Sequence, residues 1–376
     1  MTVRGGCWPT GEQELLLKAA LLNGPESLDA FAQWERAVGF DHMDEGSYRM
    51  LPLLGHNLRA QGVDHPMVGR LKGIHRRSWY QNQMLFREIE PFLQQLHAAG
   101  IPVMPLKGAA MAMHYYEDAG LRPMRDFDLL VPEPQAVRAL QLLVDGGWRI
   151  GTAWPGKLAE SFRRFRHALA MDNPTGRELD FHWHVLFTCC RPGADDDFWA
   201  ASVPLEREGA PLRVLAAADQ FLHVCAHGVT WNDVVPIRWI ADALTILRRS
   251  PDFDWHRLMR QTERRRLLLP MRDALRYLAS HLAAPIPETV LHSLDSLPVT
   301  KAERAEYQRT LQPATEFQTP LDTWRAVYHR YRRSAPRPNP MDFATFLTYY
   351  WEVDHHWQLV GRVGRWGRTR IRHLLE

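Results

Sequence analysis

Residues 104–131 read MPLKGAAMAMHYYEDAGLRPMRDFDLLV, and this stretch decides the fold that the sequence predicts. A short extended run ends at Lys107-Gly108, where the glycine permits a turn, and the following AAMAMHYY is typical of a helix. The last six residues, DFDLLV, predict a strand that carries Asp126 and Asp128. Because residues i and i+2 of a strand project from the same face, the two carboxylates share one face.

Two carboxylates on one strand face repel each other, and this pair lies among the apolar residues Phe127, Leu129 and Val131. Holding both charges there is costly unless a cation lies between them. Mg²⁺ prefers carboxylate oxygens together with the phosphates of a substrate. The pair therefore predicts a metal site that serves phosphate chemistry. The alternative, two solvated residues on an exposed strand, is disfavoured by the apolar residues that follow.

The composition is that of an ordinary globular protein, with 376 residues, 45% hydrophobic and 24% charged, and a net charge of +3. This length is enough for two or three domains. No apolar run is long enough to cross a bilayer, and the first residues lack the features of a secretory signal. The four cysteines have no CxxC spacing, which favours a reducing compartment. We therefore expect a cytoplasmic protein without a membrane span.

A second pair of strands is predicted on either side of the turn sequence Asn-Pro-Thr-Gly at 173–176. The strands are HALAMD (167–172) and RELDFHWHV (177–185). The second strand alternates strictly, with apolar residues on one face and ionisable residues on the other, namely Glu178, Asp180, His182 and His184. This pattern predicts a strand whose polar face lines an active site.

Several motifs follow one another along the chain: LKG (106–108), RxxRDxDLLV (122–131), LDxHW (179–183), HxxxH (223–227) and RWIxD (238–242). In this order they resemble the bacterial uncharacterised nucleotidyltransferase family, which has the polymerase-β-like nucleotidyltransferase superfold. The resemblance covers roughly residues 10–310.

The resemblance implies a catalytic and metal-binding triad of Asp126, Asp128 and Asp180. In the superfold two acids on one strand hold the metals, and a third acid on a neighbouring strand completes the site. It further implies two Mg²⁺ ions and a nucleoside triphosphate, most simply ATP, as co-substrate. Two metals can clamp the attacking and leaving oxygens of an in-line displacement.

The same resemblance implies contacts with the nucleotide or its phosphates by Lys107, Gly108, Arg122, Arg125 and His182. Lys107 would meet phosphate oxygens as a point charge, and the two arginines would stabilise the leaving pyrophosphate. Alternatively, the arginines pair with the acids in a structural network. One position departs from the superfold, because Ala109 stands where a serine or a second glycine usually follows the glycine of the turn.

We predict an α+β fold, in which a small mixed nucleotidyltransferase-type sheet is flanked by N-terminal and C-terminal helical regions. The predicted regions are an N-terminal helical region (1–99), the nucleotidyltransferase core (100–190), a C-terminal helical region (191–315), and a linker with an aromatic and basic tail (316–376).

The predicted function is Mg²⁺-dependent transfer of a nucleoside monophosphate to a small-molecule or peptide acceptor. One alternative is a nucleotidyltransferase that acts on nucleic acid such as transfer RNA. It is favoured by five arginines in the basic tail: Arg362, Arg365, Arg368, Arg370 and Arg372. A second alternative is a non-catalytic nucleotide-binding or scaffold protein, which Ala109 favours.

Four histidines allow a further interpretation, a zinc site, because their spacing fits zinc ligands: His182, His184, His223 and His227. Such spacings also arise by chance in a chain with 18 histidines, so structural roles compete with this hypothesis. Cys189 and Cys190 are expected to be buried rather than catalytic, since no nucleophile environment surrounds them.

Overall fold

The structure, a computed structural model, describes residues 5–38, 43–150, 160–205, 210–313, 320–335, 337–351, 353 and 355–361. Its α-helices are α1 (Gly11–Leu21), α2 (Pro25–Ala37), α3 (Glu45–Tyr48), α4 (Leu51–Ala60), α5 (Pro66–Ala98), α6 (Lys107–Ala110), α7 (Ala136–Asp145), α8 (Glu160–Phe165), α9 (Asp196–Ala201), α10 (Ala217–Gly228), α11 (Arg238–Arg249), α12 (Trp255–Arg264), α13 (Leu268–Leu282), α14 (Glu288–Ser296), α15 (Lys301–Thr310), α16 (Pro320–Ser334) and α17 (Pro340–Tyr350). Its strands are β1 (Met104–Pro105), β2 (Asp126–Leu130), β3 (Arg149–Ile150), β4 (Ala168–Asp172), β5 (Glu178–His182), β6 (Val203–Leu205) and β7 (Leu212–Val214). The predicted α+β class with a small mixed sheet is confirmed.

The main sheet has five strands in the order β1-β2-β5-β4-β3. The predicted hairpin is present, because β4 and β5 pair antiparallel with Ala170 opposite Asp180. Strand β2 lies between β1 and β5. The amide of Leu106 donates to the carbonyl of Asp128 on one side, and the amide of Val131 donates to the carbonyl of His182 on the other, both at 3.0 Å. The two acid-bearing strands β2 and β5 are therefore neighbours.

The N-terminal helices begin and continue largely as their sequence indicates. Thr10 caps α1 in a reciprocal arrangement with Gln13, which satisfies amide groups that a helix start leaves without partners. Helix α5 has 33 residues, and it runs through Pro91 without a break. It also contains the second LKG sequence, at 71–73, so that copy is part of a helix and not of a turn.

The segment after β1 departs from the single regular helix that AAMAMHYY predicted. Helix α6 has only four residues, and a π-helical turn follows from Met111 to Tyr115. The extra residue of a π-turn changes the direction in which the following side chains project, and such turns are frequent at functional sites. Tyr116, directly after this turn, reaches a buried carboxylate that is described below.

The chain divides into two compact units. The first comprises the described residues within Met1–Asp128 and Phe198–Ala314, and the second comprises those within Leu129–Asp197 and Thr315–Glu376. The division falls inside β2, so this one strand is common to both units. The boundaries predicted at residues 99, 190 and 315 remain predictions.

The second unit has an aromatic core of its own, built on α8, α16 and α17. Its buried members are Phe165, Val327, Tyr331, Ala335, Phe346, Leu347 and Leu359. Much of the aromatic content of the predicted tail is therefore part of a packed core. The five arginines from Arg362 to Arg372 lie outside the described residues. No helix in the described ranges is both long enough and apolar enough to cross a membrane.

Candidate functional site

The two acids of β2 have different surroundings although they share a strand face. Asp128 is buried, with 2% of its surface exposed, whereas Asp126 at the start of the strand is half-buried. Phe127 and Leu129 between and beyond them are fully buried in the core. The strand thus carries one buried carboxylate, Asp128, and one half-buried carboxylate at its first residue, Asp126.

Asp128 is one of three side chains that converge on the sheet. A ligand atom from each of Asp128, Asp180 and His182 lies within 4.8 Å of the others. Ligands on opposite sides of a Mg²⁺ ion are about 4 Å apart, so this spacing is close to that of a metal site. Two carboxylates and one imidazole are a donor set that fits a divalent cation. The carboxylates suit Mg²⁺ and Mn²⁺, and the imidazole adds affinity for ions such as Zn²⁺ and Fe²⁺.

The structure therefore brings together two of the three predicted metal ligands, Asp128 and Asp180. Asp126 is not in this group, and His182, which was predicted to contact the nucleotide, is a member of it. The polar face of β5 is less exposed than expected for a strand lining an open cleft, since Asp180 is half-buried and His182 is buried. The role of each residue in metal or nucleotide binding remains a prediction.

Lys107 lies against Asp128 rather than in open solvent. Its Nζ donates to Oδ1 of Asp128 at 2.7 Å, and a quarter of the lysine side chain is exposed. A buried carboxylate requires a counter-charge, and this ammonium group supplies one. The lysine expected to meet phosphate thus contacts a candidate metal ligand in this structure.

The turn that carries Lys107 is strained at the lysine and not at the glycine. Lys107 has φ of +42°, in the left-handed region, whereas Gly108 does not. For a side chain with a Cβ atom this conformation costs roughly 1–2 kcal/mol, and such strain tends to persist at functional sites. Gly108 leaves little space for a side chain, since a Cβ atom there would lie 3.2 Å from Cγ of Met124 and the methionine would have to shift by a few tenths of an ångström. Ala109 is fully buried.

Arg122 forms a buried ion pair with Asp242 on α11. Its Nε lies 2.8 Å from Oδ1 and its Nη2 lies 2.8 Å from Oδ2, a bidentate arrangement. Tyr116 also donates to Oδ1 of Asp242 at 2.9 Å. Burial alone would lower the pKa of Arg122, but the carboxylate of Asp242 outweighs it and raises that pKa. Burial, with Asp242, raises the pKa of Tyr116.

Arg125 is in the opposite situation, exposed at the surface. Its side chain is 68% exposed, and Nη2 lies 2.6 Å from Oε1 of Glu45. Glu45 also contacts Arg49 one turn later in the chain. Exposed pairs of this kind contribute at most about 1 kcal/mol, so Arg125 exchanges partners at little cost. Of the two predicted phosphate-binding arginines, Arg125 is thus the more accessible.

Sequence reasoning missed Asn82, which holds the segment before β2 in place. From α5 its Nδ2 donates to the carbonyls of Ala119 and Arg122 at 2.6 and 2.8 Å, and its Oδ1 accepts from the amide of Met124 at 3.3 Å. The side chain is 1% exposed. A polar residue at a position where a helix is otherwise apolar is the signal that identifies such a clamp.

His184 has a partner that the sequence did not reveal. Its Nδ1 lies 2.7 Å from Oδ2 of Asp195, and Oδ1 of the same carboxylate accepts from the amide of Val185 at 3.3 Å. Asp195 is the first of three consecutive aspartates, a composition typical of a solvated loop. Both side chains are buried, so the pair fixes the end of β5.

Asp128, Asp180 and His182 are called the metal-type group below. Among the described residues, the remaining candidates take no part in it. His223 on α10 is buried and its ring lies 6.5 Å from that of His227, outside the Asp128 group. Cys190 is buried as expected, whereas Cys189 is partly exposed. Burial raises the pKa of the Cys190 thiol, which makes it a poor nucleophile.

Comparison with known proteins gives one informative match. The sequence model of a family described as "Uncharacterised nucleotidyltransferase" matches residues 47–283, more than half of the chain. Among solved structures, an antigenic nucleotidyltransferase-like protein from Paracoccidioides brasiliensis is similar at 14% identity and a TM-score of 0.35, over 55% of this chain and 96% of that chain. A likeness of that size carries no argument. No curated protein matches the chain.

Proposed function

The chain belongs to the uncharacterised nucleotidyltransferase family, and from this premise we propose that it transfers a nucleoside monophosphate to a small-molecule or peptide acceptor. The proposed donor is a nucleoside triphosphate, most simply ATP, and the proposed metal is Mg²⁺. The four cysteines are free thiols, which supports a reducing, cytoplasmic location.

The observation that carries this proposal is the convergence of Asp128, Asp180 and His182 within 4.8 Å. Two carboxylates and an imidazole on neighbouring strands are a donor set that suits a divalent cation, and such a cation would add to the positive charge that Lys107 supplies at Asp128. Asp128 and Asp180 would hold the metal, with His182 as a third ligand or as a contact to the nucleotide. A bound divalent ion supplies charge stabilisation to the phosphoryl oxygens and orients the reacting groups.

The other residues act on the substrate in this proposal. Asp180, which is half-buried, either completes the metal site or accepts the proton of the acceptor. Lys107 and Arg125 would contact the triphosphate, while Asp126 near the strand edge would hold a second metal together with phosphate oxygens. Gly108 lets the chain turn closely past Met124. Arg122, paired with Asp242, would position this turn and contact phosphate only through its remaining N–H groups.

A thermal-shift panel tests the proposal. ATP, GTP, CTP and UTP are each added with Mg²⁺ or with EDTA to the wild type and to Asp128→Asn, and the unfolding midpoint is measured. A ligand that binds only the native state raises the midpoint by mass action. We expect a Mg²⁺-dependent rise for at least one nucleotide, which Asp128→Asn abolishes.

Asp172→Asn is the matched control, because Asp172 is a carboxylate on the same sheet that pairs with Arg149 at the surface. It should keep the full nucleotide response. Asp180→Asn should keep nucleotide binding but lose transfer of an α-phosphate label to any acceptor. The absence of a Mg²⁺-dependent shift with all four nucleotides would contradict the proposal.

A further inference from the structure

The second unit contains a small cavity that the proposed chemistry does not use. Its volume is about 110 Å³, and its lining comprises Phe165, Arg166, Arg330, Phe346, Tyr349 and Tyr350. The cavity lies beside the aromatic core of α8, α16 and α17, which contributes the buried rings of Phe165 and Phe346. Its walls are thus aromatic, with two guanidinium groups among them.

Arg330 is held in this cavity by aromatic rings. Its guanidinium carbon lies 5.6 Å from the ring centroid of Phe187 and 5.7 Å from that of Tyr350. Within the described part of the chain, Arg330 makes no ion pair with a carboxylate. Contacts of this kind engage the charge of the guanidinium but do not occupy its N–H donors, so these can still bind an anion.

The neighbouring arginines of the same unit do have carboxylate partners. Arg164 pairs with Asp342 at 2.8 Å, and Arg163 pairs with Glu133 at 3.1 Å. Arg166 donates to the backbone carbonyl of Tyr349 at 2.7 Å, which fixes one wall of the cavity. Arg330 therefore differs from Arg163 and Arg164: among the described residues it contacts aromatic rings and has no carboxylate partner.

We propose that this cavity binds the carboxylate group of a ligand, with Arg330 as its recognition residue. A guanidinium matches a planar carboxylate with two parallel hydrogen bonds. The other guanidinium of the lining, that of Arg166, already donates to the carbonyl of Tyr349, so Arg330 is the recognition residue proposed. The cavity is smaller than a space of about 150 Å³ that holds benzene. It therefore takes the carboxylate and the atoms next to it, while the rest of the ligand extends outside.

Ring contacts within the same unit connect this cavity to β5. The rings of His182 and His167 are 5.3 Å apart, those of His167 and Phe187 are 6.2 Å apart, and Arg330 lies over Phe187. Arg330 is thus three contacts away from His182, a member of the metal-type group. This second step rests on the proposed function: the ligand is the acceptor, and the acceptor is a compound that bears a carboxylate.

Fluorine NMR of 4-fluorobenzoate, with 4-fluorobenzamide as its uncharged counterpart, tests carboxylate binding. The wild type should bind the acid and not the amide. Arg330→Met keeps the length of the side chain but removes the charge, and it should weaken binding of the acid about tenfold or more, the effect of losing a charged hydrogen bond. Arg330→Lys should give an intermediate loss, because lysine keeps the charge without the planar fork.

Arg332→Met is the matched control, since Arg332 is an exposed arginine on the same helix α16. It should bind the acid as the wild type does. Equal loss in the Arg330 and Arg332 variants would show general attraction to a basic surface and would overturn the proposal. Equal binding of acid and amide would overturn it as well. Unfolding midpoints of all variants show whether a loss is due to misfolding.

Mn²⁺ tests the second step separately. Mn²⁺ at the Asp128 group should broaden the fluorine signal of bound 4-fluorobenzoate, and Asp128→Asn should abolish the broadening while the acid still binds. Acid binding without broadening in the wild type would reject the acceptor assignment and keep the carboxylate site. Loss of acid binding in Arg330→Met with a normal nucleotide response would leave the proposed function intact, so the two failures are distinguishable.

Discussion

The ammonium group of Lys107 lies 2.7 Å from Oδ1 of Asp128, an oxygen that the proposed function assigns to a divalent cation. In that proposal the cation and the lysine would compete for the same carboxylate. A bound triphosphate would offer Lys107 another anion, and its release from Asp128 would free the oxygen for the metal. The strained backbone of Lys107 is consistent with a residue whose position serves the site rather than the fold.

We expect Lys107→Met to lower the free energy of unfolding by about 1–3 kcal/mol in the absence of metal, because it removes a partner of the buried Asp128 carboxylate. Mn²⁺ should restore more stability in this variant than in the wild type, since it replaces the missing cation. Urea unfolding with and without Mn²⁺ measures both effects. Lys18→Met, which breaks only partly exposed pairs with Glu14 and Glu26, should change stability little and without dependence on Mn²⁺.

The clamp formed by Asn82 gives a second prediction. Asn82→Ala removes three hydrogen bonds to the segment 119–124, although the carbonyl of Ala119 keeps the amide of Arg122 as a donor. We expect a loss of about 1–3 kcal/mol in the free energy of unfolding and weaker Mn²⁺ binding, because this segment leads directly into β2. Chemical unfolding and Mn²⁺ titration are the measurements. Gln81→Ala, at an exposed position of the same helix, should leave both unchanged.

The parts of the site that the sequence predicted are those that depend on local periodicity. The Asp-x-Asp strand and the hairpin with Asp180 follow from alternation and turn residues, so they are visible in short windows. The resemblance then predicted that the two strands are neighbours, which the sheet order confirms. The half-buried Asp126 and the buried Asp128 could not be distinguished, since both fit the same alternation.

The contacts that sequence reasoning could not predict join residues that are far apart in the chain. Arg122 and Asp242 are 120 positions apart, and nothing in either local sequence specifies their pairing. The same holds for Asn82 and the segment that it clamps. Lys107 was predicted to contact phosphate, and the structure places its Nζ against Oδ1 of Asp128. These two residues are 21 positions apart, so no local pattern specifies their pairing.

The cysteines should differ in reactivity in a way that burial decides. Burial raises the pKa of Cys7 to about 11, and it also raises the pKa values of Cys190 and Cys225. Since the thiolate is the reactive form, Cys189 should be alkylated first at pH 8, and the other three only slowly. Labelling of Cys7 should continue to rise with pH up to about 11 instead of levelling off near 9.

Mass spectrometry after timed labelling with iodoacetamide at several pH values measures these rates, and Cys189→Ser identifies the fast site. Rapid labelling of Cys190 or Cys225 in folded protein would contradict the burial seen in the structure.

The raised pKa of Cys7 also makes the stability of the fold depend on pH. The Cys7 thiol ionises at lower pH in the unfolded chain than in the folded one. Its contribution to the free energy of unfolding is therefore fully present below pH 9 and is lost as the pH rises through about 11.

The buried pair of Arg122 and Asp242 allows a test of structural coupling through a double-mutant cycle. Arg122→Met leaves a buried carboxylate that, among the described residues, keeps only Tyr116 as a side-chain hydrogen-bond partner, and Asp242→Leu leaves a buried guanidinium. Each single variant should lose about 3–5 kcal/mol in the free energy of unfolding, because an uncompensated buried charge remains.

The double variant Arg122→Met/Asp242→Leu should lose less than the sum of the two single variants, since both charges are then absent. A double variant that folds stably but fails to bind nucleotide would support a contact of Arg122 with phosphate, as the family resemblance implies. A double variant that regains nucleotide binding would show that the arginine acts only by positioning the turn before β2. Additive losses would contradict the coupling that the bidentate geometry indicates.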